Sequence, residues 1–480
     1  MRFISFKTLF LQINQKMYHA LTIPDFNKQF KALRIEFTFF EYQSYAIIEE
    51  YDCFKLIFNF NLGNRFYFKP EWKIPKMNFF VEKPNKEILN ILAFHIGMVE
   101  LISYWKAACP QQVIIKPFKL SNEQINWWKK LYFNGLGEFF FVNGIQATPD
   151  DFMLITCDSD TFFEPVDKTY NETVIVPVGG GKDSAVSLEL LTRNGFSVVP
   201  LVVNPRAATN DCIIAAGFSD QDSLLMYRTI DPELIKLNQA GFLNGHTPFS
   251  ALLAFVSAFG ATLADARHIA LSNESSASES TVHGSNVNHQ YSKSFEFEQD
   301  FRYYLNRFIT SGMGYFSFLR PLNELQIASL FSKFSAYHKS FKSCNAGSKT
   351  DQWCCNCPKC LFTYIMLSPF VPSDKLESIF GENLLDKENL KNTLDELLGK
   401  TIAKPFECVG TTEEVRTAVN YIAQQIRTDE IPFLIETLEI ENNSILLADK
   451  AMKNALLQFD DQHFLLPEFE MLIKQAIDEK

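Results

Sequence analysis

TVIVPVGGGKDSAVSLELLTRNG (173–195) is the stretch whose reading decides the fold. Its first six residues form a short apolar strand rich in β-branched side chains. After the glycines the chain runs at helical spacing to Asn194-Gly195, a helix stop. A glycine triplet between a buried strand and a helix builds a phosphate site. Glycine lets the backbone approach oxygen closely, and the helix N-terminus offers free N–H groups and partial positive charge. Two well-known loops fail to match. A Walker loop needs Lys followed by Ser or Thr, and Lys182 is followed by Asp183. A dinucleotide fingerprint needs a third glycine where Ser184 stands.

Outward from this stretch, SVVPLVVN (197–204), SLLMYRTI (223–230) and HIALSN (268–273) read as further strands, and YFSFLRPL (315–322) as a fifth. A helix is expected over 249–266 and another from 322 through Phe334. Strands alternating with helices predict an α/β fold, a doubly wound and mostly parallel sheet. Ligands of such sheets bind at the carboxyl ends of strands. GGGKDS, Asn204 and SNESSASES, which opens with Ser272 and Asn273, all fall there.

The run Gly179-Gly180-Gly181-Lys182-Asp183-Ser184 resembles the pyrophosphatase (PP) loop, strand–SGGxDS–helix, with Gly179 in place of the first serine. Arg320-Pro321-Leu322 is similar to that fold's strand-to-helix junction. The resemblance implies ATP cleaved between its α and β phosphates, AMP attached to a substrate oxygen, and pyrophosphate released. The residues suit that chemistry. Backbone N–H groups and Ser184 can cradle pyrophosphate, Asp183 can help hold Mg²⁺, and Lys182 adds charge. The absent hydroxyl at Gly179 is expected to loosen pyrophosphate binding, while its N–H stays in place.

The chain has 480 residues, about three domains at ~150 residues each. Hydrophobic residues make up 47% and charged residues 21%, which excludes a disordered or disulfide-knot protein. A net charge of −11 and a pI of about 5.4 argue against a nucleic-acid coat or a cationic membrane-surface protein, but leave room for a local basic pocket. The 47 Phe are spread through every segment and read as background composition. MRFISFKTLFLQINQK at the N-terminus reads as neither signal peptide nor anchor. The apolar windows Phe249–Ala264 and Ile88–Trp105 read as buried helices. A cytoplasmic protein with reduced thiols is expected, with no nucleic-acid partner and no membrane insertion.

Residues 1–165 form an expected N-terminal α+β domain. Phe54, Leu56, Phe58, Phe60 and Leu62 alternate up to Gly63-Asn64, a hairpin pattern. From 86 to 107 the period becomes helical, with His95 on the apolar face as a core histidine. Ser121 and Gln124 form a capping signal for a helix that ends in a glycine-rich turn at Gly135 and Gly137. The α/β domain is placed at 166–340, a cysteine segment at 341–370 and a helical region at 371–480, where Thr411 and Glu414 make a capping box.

Cys344, Cys354, Cys357 and Cys360 have the density for four thiolates on one tetrahedral Zn²⁺, a closed site that folds a loop and does not catalyse. Adjacent Cys355 leaves the register open, and an iron–sulfur cluster is the alternative. The spacing resembles that of 7-cyano-7-deazaguanine synthase, another pyrophosphatase-loop enzyme.

The segment SNESSASESTVHGSNVNHQYSKSFEFEQDFRYY (272–304) is either a solvated loop or part of a substrate site. Together with HIGMVELISYWKAAC (95–109), EQINWWKKLYFNGLGEFF (123–140), VPVGGGKDS (176–184), ALSNESSA (270–277), VNHQYSKSFEFE (287–298) and WCCNCPKC (353–360), it makes the chain similar to one bacterial family. These are the ATP-dependent UDP-N-acetylmuramoyl-L-alanyl-L-glutamate epimerases. The resemblance covers most of 95–365. It implies conversion of the terminal L-Glu of UDP-MurNAc-L-Ala-L-Glu to D-Glu with ATP and Mg²⁺, through an acyl-adenylate. The α-proton beside a carboxylate resists removal because a dianion would form, and adenylation removes that charge so that a general base can act. Candidate bases are His283, His289 and Lys293, with Tyr291, Glu296 and His246 behind them. Lys293, Arg302 or Arg320 can meet the substrate's diphosphate. The rivals are another adenylating enzyme (an amide synthetase or a deazaguanine-synthase-like enzyme) and a non-catalytic nucleotide-binding protein.

Overall fold

The computed structural model describes residues 26–426, 431–438 and 447–478. The stretch MRFISFKTLFLQINQK lies outside them. The chain forms two units. One holds the residues up to Tyr170 with Met226–Asp265 and Ser280–Met313. The other holds Asn171–Leu225, Ala266–Glu279 and the chain from Gly314 onward.

In the first unit the strand Phe39–Glu49 pairs antiparallel with Cys53–Leu62 and parallel with Gln112–Ile115, which pairs parallel with Leu154–Cys157. Cys53–Leu62 turns back onto Phe66–Phe68, with Phe60 opposite Phe68. Gly63, Asn64 and Arg65 make that turn, with Gly63 and Asn64 at φ 58° and 56° and the Arg65 N–H donating to the Leu62 carbonyl at 3.1 Å. Phe54, Leu56, Phe58, Phe60 and Leu62 are buried, as their period of two predicts. The Phe content also has a structural use here. Phe94, Phe118 and Phe163 meet ring to ring, and the Phe118 and Phe163 centroids are 3.6 Å apart.

Asn85 caps the helix Lys86–Trp105 by accepting from the N–H groups of Glu87 and Ile88. The helix has the length and hydropathy to cross a membrane, but 89% of that window is buried inside the protein. His95 sits in its core. Nδ1 lies 2.7 Å from the Ile91 carbonyl and Nε2 2.9 Å from the Tyr304 hydroxyl, and burial pushes the imidazole down to about 4. The capping box of Ser121 and Gln124 opens the helix Asn122–Gly135. The expected glycine-rich turn is shorter than predicted. Leu136 alone separates that helix from a second, Gly137–Val142, which carries Glu138 in its first turn.

One strand changes partners along its length. SLLMYRTI forms Leu224–Thr229, which stands next to Val198–Val203 in the strand order as expected, and its second half pairs antiparallel with Glu71–Pro75, Arg228 opposite Trp72. The reason is its side chains. Tyr227 is exposed, and Arg228 is drawn to the fully buried Glu100, 2.7 Å from each carboxylate oxygen. A strand buried on both faces carries neither residue.

The second unit is built on a parallel sheet in the order Gly314–Ser317, Ala266–Leu271, Asn171–Pro177, Val198–Val203. Val174, Val176, Val186, Leu188, Leu325 and Phe331 share its hydrophobic core. The described chain from Pro358 onward is helical, and Thr411 and Glu414 form the expected capping box. The polar segment 272–304 is divided. Residues through Glu279 belong to the second unit and the rest to the first, and a helix begins at Phe295 under a Ser294 cap.

Candidate active site and metal centre

In the second unit all four sheet strands are parallel, so their carboxyl ends share one edge. The glycine loop, Asn204, Ser272 and Asn273 follow three of those ends. Gly180 has φ 80°, and a Cβ there would lie 3.1 Å from the Ala208 carbonyl carbon and the Thr209 nitrogen. Only glycine fits that approach. Gly179 differs, since a Cβ there would meet nothing within 4 Å, so packing does not forbid a serine. Gly181 starts the helix Lys182–Arg193 with no side-chain cap, and the Ser184 hydroxyl donates to the Gly181 carbonyl at 3.1 Å. Asn204 takes φ 50°, Asn273 donates to Ser317 at 3.0 Å, and the buried Ser272 hydroxyl has no hydrogen-bond partner among the described residues.

Lys182 is buried and bonded to both Asp183 and Glu324. Burial opposes its charge, but the two carboxylates overcome that and hold the ammonium protonated well above its usual range. Burial also pushes the Glu324 carboxyl up against the pull of Lys182, with Asp183 and Glu274 adding to the rise. Asp183 keeps 28% side-chain exposure, enough to meet a cation from outside. Sequence reasoning missed three supports of this loop. Arg206 donates to the Gly179 carbonyl at 3.2 Å, the Lys342 N–H to the Gly180 carbonyl at 2.7 Å, and Glu324 holds Lys182. Glu324 had a readable signal, a carboxylate just after Arg320-Pro321-Leu322. Arg320 is only 1% exposed and donates to the Glu274 carbonyl at 2.6 Å, so it faces the protein interior and not a diphosphate.

Cys344, Cys354, Cys357 and Cys360 converge, with all four sulfurs within 4.8 Å of one another. Three of the pairs stand 3.5–3.7 Å apart. Zn–S bonds of about 2.3 Å set about 3.8 Å along a tetrahedron's edge, so the group fits a zinc ion with little movement. Hydrogen bonding from the Cys360 thiol pulls the Cys357 thiol down towards the thiolate that a metal needs. Cys355 is outside the group. Its thiol donates to the Phe380 carbonyl at 3.0 Å.

Of the residues read as candidate bases, the first unit brings His289 and His246 together on a carboxylate the sequence did not single out. His289 Nδ1 is 2.5 Å and His246 Nδ1 3.6 Å from the same Oε2 of Glu138, and the imidazole centroids are 4.5 Å apart. Burial lowers His246 to about 4, with the His289, Lys106 and Lys293 charges acting in the same sense and Glu138 opposing. His283 is exposed and outside the group. Tyr291 is buried beside Asn134, and burial raises its phenol to about 12, which leaves it protonated at neutral pH. Glu296 is exposed and pairs with Lys130 at 2.7 Å. Arg302 is lowered by burial, against the charge of Glu298.

Two family models match the chain, the MurL N-terminal domain over residues 31–318 and the MurL C-terminal domain over 335–451. Three curated relatives carry the name UDP-N-acetyl-alpha-D-muramoyl-L-alanyl-L-glutamate epimerase. The protein of Xanthomonas oryzae is 35% identical over 343 residues, 70% of this chain and 75% of its own. That of a Micromonospora species is 36% identical over 347 residues, 70% and 76% of the two chains. That of Salinispora tropica is 36% identical over 335 residues, 68% and 71%. No solved structure matches. With both domain models matched and full-name relatives aligned over more than two thirds of either chain, the protein belongs to the MurL epimerase family.

Proposed function

We propose that this protein inverts the α-carbon of the terminal L-Glu of UDP-MurNAc-L-Ala-L-Glu during peptidoglycan precursor synthesis, using ATP and Mg²⁺ to form an acyl-adenylate and releasing AMP and pyrophosphate. The names of its relatives support the substrate and the epimerisation. The observation that carries the nucleotide half is the start of the helix Lys182–Arg193, where Gly181 leaves the N-terminal N–H groups without a side-chain cap behind a glycine loop at a strand's carboxyl end. A phosphate is the ligand that uses such a surface, through loop N–H groups and an uncapped helix start. The orphan Ser272 hydroxyl on the same sheet edge supplies a further donor for the nucleotide. Asp183 holds Mg²⁺, and Lys182 balances the charge of the leaving pyrophosphate.

Adenylation turns the glutamyl carboxylate into a mixed acyl–phosphate anhydride, whose carbonyl no longer carries the carboxylate charge and withdraws electrons, which lowers the barrier to losing the α-proton. His289 is the proton-transferring group, because the Glu138 carboxylate fixes its imidazole at Nδ1. Reprotonation on the opposite face followed by hydrolysis of the adenylate completes the inversion. The four-cysteine group holds Zn²⁺ as a structural staple, with every position filled by sulfur.

The test is incubation of purified protein with the L-Glu nucleotide in D₂O. Deuterium enters the Glu α-carbon, and D-Glu appears, only when ATP and Mg²⁺ are present, with AMP as the nucleotide product. ADP in place of AMP, or inversion without nucleotide, refutes the reading.

A further inference from the structure

In the sequence Glu138 is no more than part of the block 123–140, yet two imidazoles converge on one of its oxygens. The short helix Gly137–Val142 presents it, and the loop that carries His246 is tied down beside it. Lys106, at the end of the helix Lys86–Trp105, donates to the carbonyl of Gly245, the residue before His246, and Asn143 donates to the carbonyl of Asn244 at 3.2 Å. The His289 backbone N–H donates to the Thr281 hydroxyl at 2.9 Å. Both imidazoles are therefore held from their backbones, and both turn Nδ1 towards the carboxylate.

We propose that Glu138 is a positioning residue for proton transfer: it accepts the Nδ1–H of His289, which places the basic lone pair on Nε2, the nitrogen that takes the substrate's α-proton, with the His246 ring beside it. The proposal rests on the epimerase reading given above. A carboxylate at Nδ1 selects the tautomer and stabilises the imidazolium formed when Nε2 gains a proton. The C–H electron pair stays on the activated glutamyl group as its enolate, and the proton moves to Nε2, so charge and atoms balance. The charged groups facing His246 are His289, Glu138, Lys106 and Lys293. Burial and the charges of His289, Lys106 and Lys293 disfavour a proton on His246, against the pull of Glu138. The donor atoms of Glu138, His246 and His289 also lie within 4.8 Å of one another, close enough to share a cation. The ammonium groups of Lys106 and Lys293 bear on the same place and oppose one.

The experiment compares wild type, Glu138→Gln, Glu138→Asp, His289→Gln and the double variant Glu138→Gln/His289→Gln. Four quantities are read: pyrophosphate release, α-deuterium entry in D₂O, the pH profile and bound metal. Glu138→Gln is expected to release pyrophosphate and to lose at least ~100-fold in exchange, mostly in kcat, within the usual contribution of a positioned base. Loss of the negative charge makes His289 easier to deprotonate, so the acidic limb of its residual activity moves to lower pH. Glu138→Asp restores much of the rate, and the double variant is no worse than either single one, as for groups that act as a unit. Wild-type exchange in Glu138→Gln, or losses that multiply in the double variant, overturns the proposal. So does one equivalent less of bound metal in Glu138→Gln than in wild type, which would make the group a cation site. Failure of the epimerase reading looks different. Wild type then exchanges without ATP or not at all, whereas failure of the present proposal leaves wild-type, ATP-dependent exchange intact.

Discussion

Gly180→Ala isolates the backbone requirement of the phosphate loop. The new methyl would sit 3.1 Å from two backbone atoms and 3.2 Å from the Ala208 Cβ, at φ 80°. None of these is the flexible end of a side chain, so relief requires moving the start of the helix Ala207–Ala215 or rotating the loop. A non-glycine residue at positive φ costs about 1–2 kcal/mol, and the tight contact adds about 1 more. If the loop keeps its fold, about 2–3 kcal/mol appears in urea unfolding at unchanged slope. If it rotates to escape, the cost moves to nucleotide binding, where about 2 kcal/mol is roughly thirtyfold in ATP affinity. Both are measured together, by urea titration and by ATP–pyrophosphate exchange. The control is Gly179→Ala, one residue earlier, where a Cβ meets nothing within 4 Å and no positive φ is involved. It should lie within about 0.5 kcal/mol of wild type, as an unstrained surface change does. Equal behaviour of the two variants, or wild-type stability and ATP affinity in Gly180→Ala, would refute the argument that this loop is shaped for close backbone approach.

Two further outcomes follow from the geometry. Cys357→Ser should remove one equivalent of zinc per chain and destabilise the fold, whereas Cys355→Ser should leave the metal content unchanged, because that thiol serves the Phe380 carbonyl; plasma emission analysis of the purified variants reads both. His95 is buried neutral at about 4 against an ordinary 6.5, so the unfolded chain binds the extra proton between those values. Its contribution, on the order of 3 kcal/mol, is present above pH 6.5 and lost as the pH falls towards 4. Replacing it with Gln should flatten the acid limb of the stability–pH curve.

Much of the fold is legible because its signals are local. The Gly63-Asn64 hairpin, the caps at Ser121 and Thr411, and the strand–glycine–helix passage at 173–195 each depend on residues within one or two turns of chain. The convergence of Cys344, Cys354, Cys357 and Cys360 is legible for the same reason, since their spacing alone limits how they can meet. The choice against Cys355 was not, because it depends on the carbonyl of Phe380 arriving beside it. In SLLMYRTI the first half is legible as a buried strand, and it stands next to Val198–Val203 in the strand order. The other half answers to Glu100, a charge that only the packed helix brings near.

The sequence by itself determined that a glycine loop sits between strand and helix, that Asn204, Ser272 and Asn273 lie at strand ends, and that four thiols can come together. Those features need only backbone geometry and short-range spacing. Only the tertiary structure decided that Glu138, His246 and His289 share one carboxylate oxygen, that Lys182 is held by Glu324, and that the segment 272–304 divides between two units. A hydrogen bond acts over about 3 Å, and which side chains come that close across long stretches of chain is set by how the cores pack and not by any local pattern.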